Sequence, residues 1–340
     1  MRGDNASSDG MQQKFYDKTT DTWYKEDYLG TEGLSEYATS LLLRNSGIAH
    51  VEYKPCLFPM GKKEVVGCKS KNFLKDGEVL ISTYALFRKY RNMDIAEYLG
   101  GRSCEEKIKY FVENIIDITG IKDFGQYLTG MLQLDAVTKN DDRHFRNICV
   151  VTEDGKTFRP APIFDNGGAF LSDQYSYGTD LKGDELYATV DGVQAKPFSL
   201  DFDEQMVICE RLYPNNIYFR PLKEKDFLCV NSIYSENDIN KILEIMRISL
   251  RKYSYLFYDF EHVENNIFDI LNMLSSKGHT IQNNFTDNGR IIIIDGKMKF
   301  EYPCTKSGLN EILKNLDMII QNDKENDNFR GQIVYDMEKE

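Results

Sequence analysis

Three oxygen-bearing side chains define the chemistry this sequence could carry. Asp142 and Asn147 stand at the two ends of Asp142-Arg143-His144-Phe145-Arg146-Asn147, and Asp165 sits in the turn Phe164-Asp165-Asn166-Gly167. The first spacing lets one loop offer a base and, at its far end, an oxygen ligand for a hard cation. Asp165 ends the apolar segment Pro162-Ile163-Phe164 and is followed by glycines, so its carboxylate is expected at the mouth of a cleft. Mg²⁺ takes oxygen ligands and uses one or two protein groups, leaving the rest to phosphates and water. Asn147 and Asp165 meet that demand, and Asp142 is then the acceptor for a hydroxyl proton in phosphoryl transfer. The alternative is an acidic surface turn followed by an ordinary Asp-Asn-Gly turn, since turns of this composition are common.

The surrounding elements must position these groups. Upstream, the apolar stripes Ile108, Phe111, Val112, Ile115, Ile116 and Phe124, Leu128, Met131, Leu132, Leu134 predict two core helices, the second over 124–137. Asp135 falls inside the second stripe, where an unpaired carboxylate is costly, so it is expected to bond to the loop through Arg143 or His144. His144 reads as a structural hydrogen-bonding residue. Downstream, 148–152 and 156–159 form a hairpin across Glu153-Asp154-Gly155, and 166–200 is an irregular segment rich in Gly, Asp, Ser and Tyr. Near the N-terminus, runs 13–16 and 22–25 flank the turn 17–21 of another hairpin. The small residues before it could lay backbone N–H groups against phosphate, or form a tail without fixed structure. A helix is predicted over 35–47, strands over 51–57 and 64–69, helices over 202–212, 239–256, 262–274 and 308–320, and a strand pair within 289–300. A charged tail begins at 322.

The 340 residues suffice for two lobes sharing a cleft. A formal net charge of -12 argues against nonspecific contact with nucleic acid or anionic membranes. Seven scattered cysteines without a Cys-x-x-Cys pair point to reduced thiols, and four dispersed histidines form no metal cluster. No apolar run approaches the roughly twenty residues of a membrane span, and the polar N-terminus carries no export signal, so a cytoplasmic protein is expected.

The order Asn-x-Asp-Arg-His-x-x-Asn, a strand, then Pro-Ile-Phe-Asp-Asn-Gly resembles the catalytic and metal-binding segments of the HipA-like/CtkA-like serine/threonine kinase family. The likeness covers about residues 1–260 in order and matches the short form, which lacks the HipA N-terminal subdomain. It implies an α+β, two-lobed protein-kinase-like fold, with a small β-rich N-lobe over 1–100, a mainly helical C-lobe over 101–321 and a tail over 322–340. It implies ATP and Mg²⁺ as cofactors, with Asp142 as catalytic base and Asn147 and Asp165 as metal ligands. Lys25 would hold the non-transferred phosphates, fixed by Glu36 on the first helix; a solvent-facing Glu36 favoured by the helix dipole is the alternative. Ser7, Ser8 and Gly10 would belong to the phosphate loop, with autophosphorylation of the serines inhibitory, and Cys68 and Lys69 would lie at the adenine-binding hinge. The implied acceptor is a serine or threonine of a protein or of the chain itself, and an antitoxin-like protein is an implied partner. A small-molecule or lipid kinase and a nucleotide-binding module without transfer are the other readings, because fold and metal site do not fix the acceptor.

Overall fold

The computed structural model describes residues 12–286 and 289–337. The chain divides into two units, Met1–Arg44 with Ile48–Phe257, and Asn45–Gly47 with Tyr258–Glu340.

The first unit begins with two antiparallel hairpins. Strands β1 (Lys14–Asp17) and β2 (Thr22–Glu26) turn at 18–21, where the Asp17 carboxylate accepts from the Thr19 N–H at 2.9 Å and the Thr20 hydroxyl at 2.7 Å. Between this hairpin and the next lies α1 (Glu32–Leu43), every residue of which is buried. A helix covered all round belongs to the core, and its polar side chains are spent on partners: Ser35 Oγ donates to Ala169 O and Tyr37 Oη to Asp226 O, both at 2.8 Å. Strands β3 (Tyr53–Met60) and β4 (Lys63–Lys71) complete a sheet of order β1-β2-β4-β3. The register sets Lys14 opposite Lys25, and Lys25 opposite Cys68.

After β5 (Val79–Ser82) the unit turns mostly helical, with α2 (Thr83–Arg91), α3 (Ile95–Tyr98), α4 (Cys104–Thr119) and α5 (Phe124–Thr138). A capping box between Ser103 and Glu106 starts α4, and Gly120 ends it at φ +74°. Strands β6 (Cys149–Thr152) and β7 (Phe158–Pro160) then pair with β5 in a small antiparallel sheet of order β5-β6-β7. The segment read as irregular contains α6 (Gln174–Tyr177) and α7 (Gly183–Gly192). The second of these buries only Leu186 and Val190, too few apolar positions for a helical period to show in the sequence. Helices α8 (Phe202–Leu212) and α9 (Glu236–Lys252) close the unit; α8 packs on both α4 and α5, and α9 packs on α5. A small antiparallel sheet followed by a mainly helical remainder is thus the architecture of this unit.

In the second unit α10 (Phe260–Ser276) is followed by β8 (Ile281–Thr286), β9 (Gly289–Ile294) and β10 (Met298–Tyr302), in sheet order β10-β9-β8. The sequence shows only two of these strands, because β8 is polar and mostly exposed. The last helix, α11 (Lys306–Met337), runs through the stretch read as a charged tail, and no proline interrupts it. Among the described residues no helix is long and apolar enough to cross a membrane.

Aromatic rings knit the helical part of the first unit. Phe111 on α4 is fully buried, with ring centroids of Phe145 at 5.2 Å, Phe198 at 5.3 Å, Phe87 at 5.8 Å and Phe124 at 6.0 Å. It therefore ties α2, α4 and α5 to the loops that carry the candidate site. Phe111→Ala is expected to destabilise the protein by about 3–5 kcal/mol, the cost of such a cavity, as a lower urea midpoint at unchanged slope.

Candidate active site

The last turn of α5 and the loop after it are held by a buried ion pair. Asp135 and Arg143 are both fully buried. The guanidinium donates through Nε to Asp135 Oδ2 and through Nη2 to Asp135 Oδ1, both at 2.9 Å. The same Oδ1 accepts from Asn140 Nδ2 at 2.9 Å, and Asn140 Oδ1 accepts from the Asp142 N–H at 3.2 Å. Arg143 also donates to Asn166 Oδ1 at 2.6 Å and to Phe164 O at 3.4 Å. One side chain thus fixes both the 140–147 loop and the 164–167 turn. Burial pushes the Asp135 carboxyl up, and the guanidinium charge opposes that rise. His144 takes no part: the arginine fork and Asn140 use both carboxylate oxygens, and among the described residues the buried His144 Nδ1 has no hydrogen-bond partner.

Asp165 itself adopts φ +60°, a left-handed conformation uncommon outside glycine. Its Oδ1 lies 2.7 Å from Lys25 Nζ and its Oδ2 3.2 Å from Lys14 Nζ. Lys25 is also ion-paired with Glu36, whose other oxygen accepts from the Asn166 N–H at 3.0 Å. Burial alone would raise the Asp165 pKa, but the two ammoniums hold it well below the ordinary carboxylate range. Burial would likewise lower Lys25, but the carboxylates of Asp165 and Glu36 hold it well above its ordinary value. Lys14 is pulled down by burial and by the neighbouring Lys25 charge.

A cleft of about 760 Å³ opens beside these groups. Asp142, Asn147 and Asp165 all line it, together with Lys14, Glu32 and Lys196. The Asp142 side chain is 58% exposed, with Lys196 Nζ 3.8 Å from its Oδ1. A side chain at Gly168 would place its Cβ 2.8 Å from Asp142 Cβ, so only glycine leaves the aspartate free there. Asn147 spends its amide nitrogen on Asp142 O at 3.3 Å, which leaves its oxygen as the atom available to a ligand.

An ionised carboxylate and a carboxamide oxygen on one cleft fit Mg²⁺, which takes few protein ligands. Among the described residues no group of three or more His, Cys, Asp or Glu could hold a metal by itself. The cleft volume and the apolar wall of Leu80, Ile81 and Phe164 fit a nucleotide base.

Cys68 and Lys69 lie on β4 and are not part of that lining, where β5 forms the wall instead. Cys68 is completely buried, and burial pushes its thiol well up. Ser7, Ser8 and Gly10 lie outside the described residues. Sequence reasoning missed Lys14 and Glu32. A hairpin turn fixed at 18–21 would have revealed Lys14 as the cross-strand partner of Lys25.

Glu32 is held in a nest of main-chain donors: its oxygens accept from the N–H groups of Leu29 at 2.6 Å, Gly30 at 2.9 Å and Tyr28 at 3.2 Å. Beside it, Asp27 accepts from the Gly33 N–H at 2.6 Å and from Tyr234 Oη at 2.8 Å. Burial raises the Asp27 carboxyl to about 7, despite those two hydrogen bonds.

No family model matches the chain, and no curated protein does. Among solved structures, the chain is similar to the proinflammatory kinase CtkA of Helicobacter pylori, at 16% identity and a TM-score of 0.48, over 73% of this chain and 89% of that one. It is also similar to HipA of Shewanella oneidensis, solved with HipB and its operator DNA, at 15% identity and a TM-score of 0.37, over 72% of this chain and 64% of that one.

Two outcomes follow for stability. Arg143→Met is expected to destabilise by about 3–5 kcal/mol, because it strands a buried carboxylate, and the double variant with Asp135→Leu is expected to lose less; urea titration measures both. Asp27 binds a proton in the folded chain that the unfolded chain has already released between its ordinary pKa and about 7. Its contribution is therefore present at acid pH and is lost as pH rises through about 7. Asp27→Asn is expected to remove that decline from a stability profile measured between acid and neutral pH.

Proposed function

We propose that this protein is an ATP- and Mg²⁺-dependent kinase that transfers the γ-phosphoryl group to a serine or threonine hydroxyl of a protein. The observation that carries the reading is the convergence of Asp142, Asn147 and Asp165 on one cleft, with Lys25 and Lys14 turned onto Asp165.

Asp142, exposed on the cleft and fixed through its backbone by Asn140, orients the acceptor hydroxyl and takes its proton. Lys196, near the same carboxylate, is placed to meet negative charge arriving with the acceptor site. Asn147 and Asp165 are the residues that would hold Mg²⁺. Lys25, kept charged by Glu36, and Lys14 would turn to the phosphates that stay behind. The bound nucleotide and metal supply the phosphoryl group and neutralise the charge that develops on it. The chain's own contribution is positioning, set by the Arg143 network, and fixed charge, set by the Lys14, Lys25, Glu36 and Asp165 cluster.

The test is phosphoryl transfer from labelled ATP, with protein-bound and small-molecule label separated, alongside the melting shift with Mg·ATP. Wild type is expected to label protein and to be stabilised by Mg·ATP. Asp142→Asn is expected to keep the melting shift and lose transfer by about 10²-fold or more, the usual worth of a positioned base. Equal transfer by the two proteins would refute the assignment of Asp142. Label on small molecules alone would move the acceptor class, and a melting shift without transfer in wild type would leave a nucleotide-binding module.

A further inference from the structure

The second unit holds an unguarded sheet edge. Strand β8 ends the sheet of order β10-β9-β8. Its residues, Ile281-Gln282-Asn283-Asn284-Phe285-Thr286, include no charge and no proline, and Phe285 is 66% exposed. Proteins usually blunt such an edge with charged side chains or proline, because its free N–H and C=O groups are a template for another strand. The opposite edge is blunted in this way: β10 carries exposed Lys299 and Glu301, and Pro303 follows it.

The hydrogen-bonding phase of β8 is fixed. Asp295 donates its N–H to Thr280 O at 2.9 Å, and the register runs from Ile281↔Ile294 to Thr286↔Gly289. Bonded and non-bonded pairs alternate along an antiparallel ladder. Gln282, Asn284 and Thr286 therefore bond to β9. Ile281, Asn283 and Phe285 turn their N–H and C=O groups to the open edge, where they take no partner among the described residues. The side chains of the same three share the sheet face that carries the buried Arg290, Ile292 and Ile294 of β9. Arg290 anchors this face: its Nε donates to Asn283 Oδ1 at 2.7 Å, and its guanidinium lies 4.7 Å from the ring centre of Phe285.

We infer that this edge joins two copies of the chain, β8 pairing antiparallel with β8 about a two-fold axis at Asn283. Residues opposite one another in a continuous sheet share a face, so the axis must pass through a residue. With the axis at Asn283, Ile281 of each copy faces Phe285 of the other, and Gln282 faces Asn284. An aromatic ring against a β-branched side chain is a favourable cross-strand pair. The amides can hydrogen-bond, no like charges meet, and every outward N–H and C=O finds a partner. Moving the axis to Gln282 leaves Phe285 with no strand residue opposite; moving it to Asn284 does the same to Ile281. This self-match in both side chains and backbone phase selects a second copy over an unrelated extended segment. A two-fold pair uses up both edges, so assembly stops at the dimer. A single strand pair is small beside the about 800 Å² per partner of a standard interface, so the dimer is expected to dissociate at micromolar concentration or above.

The test uses the full chain and does not depend on the kinase reading. Sedimentation would be measured from micromolar to near-millimolar concentration for wild type, Ile281→Lys, Phe285→Glu and an equimolar mixture of the two variants. Wild type is expected to show a reversible monomer–dimer equilibrium, weakened about tenfold or more by Phe285→Glu and weakened also by Ile281→Lys. The mixture is expected to associate more tightly than either variant alone, because the introduced lysine and glutamate then face each other while the second Ile281–Phe285 pair is restored. Hydrogen exchange of wild type is expected to slow with concentration at the amides of Ile281, Asn283 and Phe285, and to stay constant at Gln282 and Asn284. A monomer at every concentration would overturn the inference and leave the edge to an extended segment of another protein. A dimer unchanged by Phe285→Glu, or a mixture no tighter than its components, would overturn it too. Should a variant fail to fold, the exchange pattern of wild type decides: no concentration dependence at the three outward amides overturns the pairing.

Discussion

The Asp135–Arg143 ion pair is the constraint on which the rest of the first unit depends. Arginine stays charged in any protein interior and presents a planar fork, so a fully buried guanidinium must find a matching set of acceptors. Asp135 takes two of its donors, while Asn166 and the Phe164 carbonyl take others. The helix end, the loop that follows and the later turn are therefore not free to choose their relative positions. The pair adds little stability over well-packed apolar residues. What it gives is a fixed relation between a carboxylate on the loop and a carboxylate on the turn.

A second set of charges builds on that relation from the sheet side. Glu36 on the buried helix α1 holds Lys25 with one oxygen and the Asn166 N–H with the other. The helix thereby couples strand β2 to the turn already fixed by Arg143. The carboxylate of Asp165 stays ionised because two ammoniums face it, not because it is solvated. An interior charge maintained this way is ready for a cation without first having to shed a proton.

Part of this was legible in the sequence for physical reasons. A carboxylate inside an apolar helical stripe must be paired, and Asp135 announced on that ground its need for a partner on the loop, with Arg143 and His144 both open until the structure chose Arg143. Asp142, Asn147 and Asp165 were marked by their residue types and by the elements between them. Other parts were hidden. Lys14 carries no signal by itself; it matters only through a cross-strand register that the hairpin's turn sets. The cleft wall near Leu80 and Ile81 comes from a four-residue strand, too short for alternation to identify it. Cys68 and Lys69 sit on a longer, clearer strand whose burial is used for packing against α1. The strand β8 escaped notice because its exposed face is a run of amides rather than an apolar alternation.

The first hairpin carries a hidden liability. Lys14 and Lys25 are direct antiparallel partners, which sets their Cα atoms about 5 Å apart, a spacing at which like charges repel across a strand pair. Asp165 is the anion lodged between them, so this one residue, distant in sequence, acts as the staple of a hairpin near the N-terminus. Neutralising it would unbalance the strands as well as remove from the cleft the carboxylate that faces the two ammoniums. Any loss of activity on altering Asp165 would therefore mix two causes, whereas Asp142, exposed and outside that triangle of charge, can be altered with a cleaner interpretation.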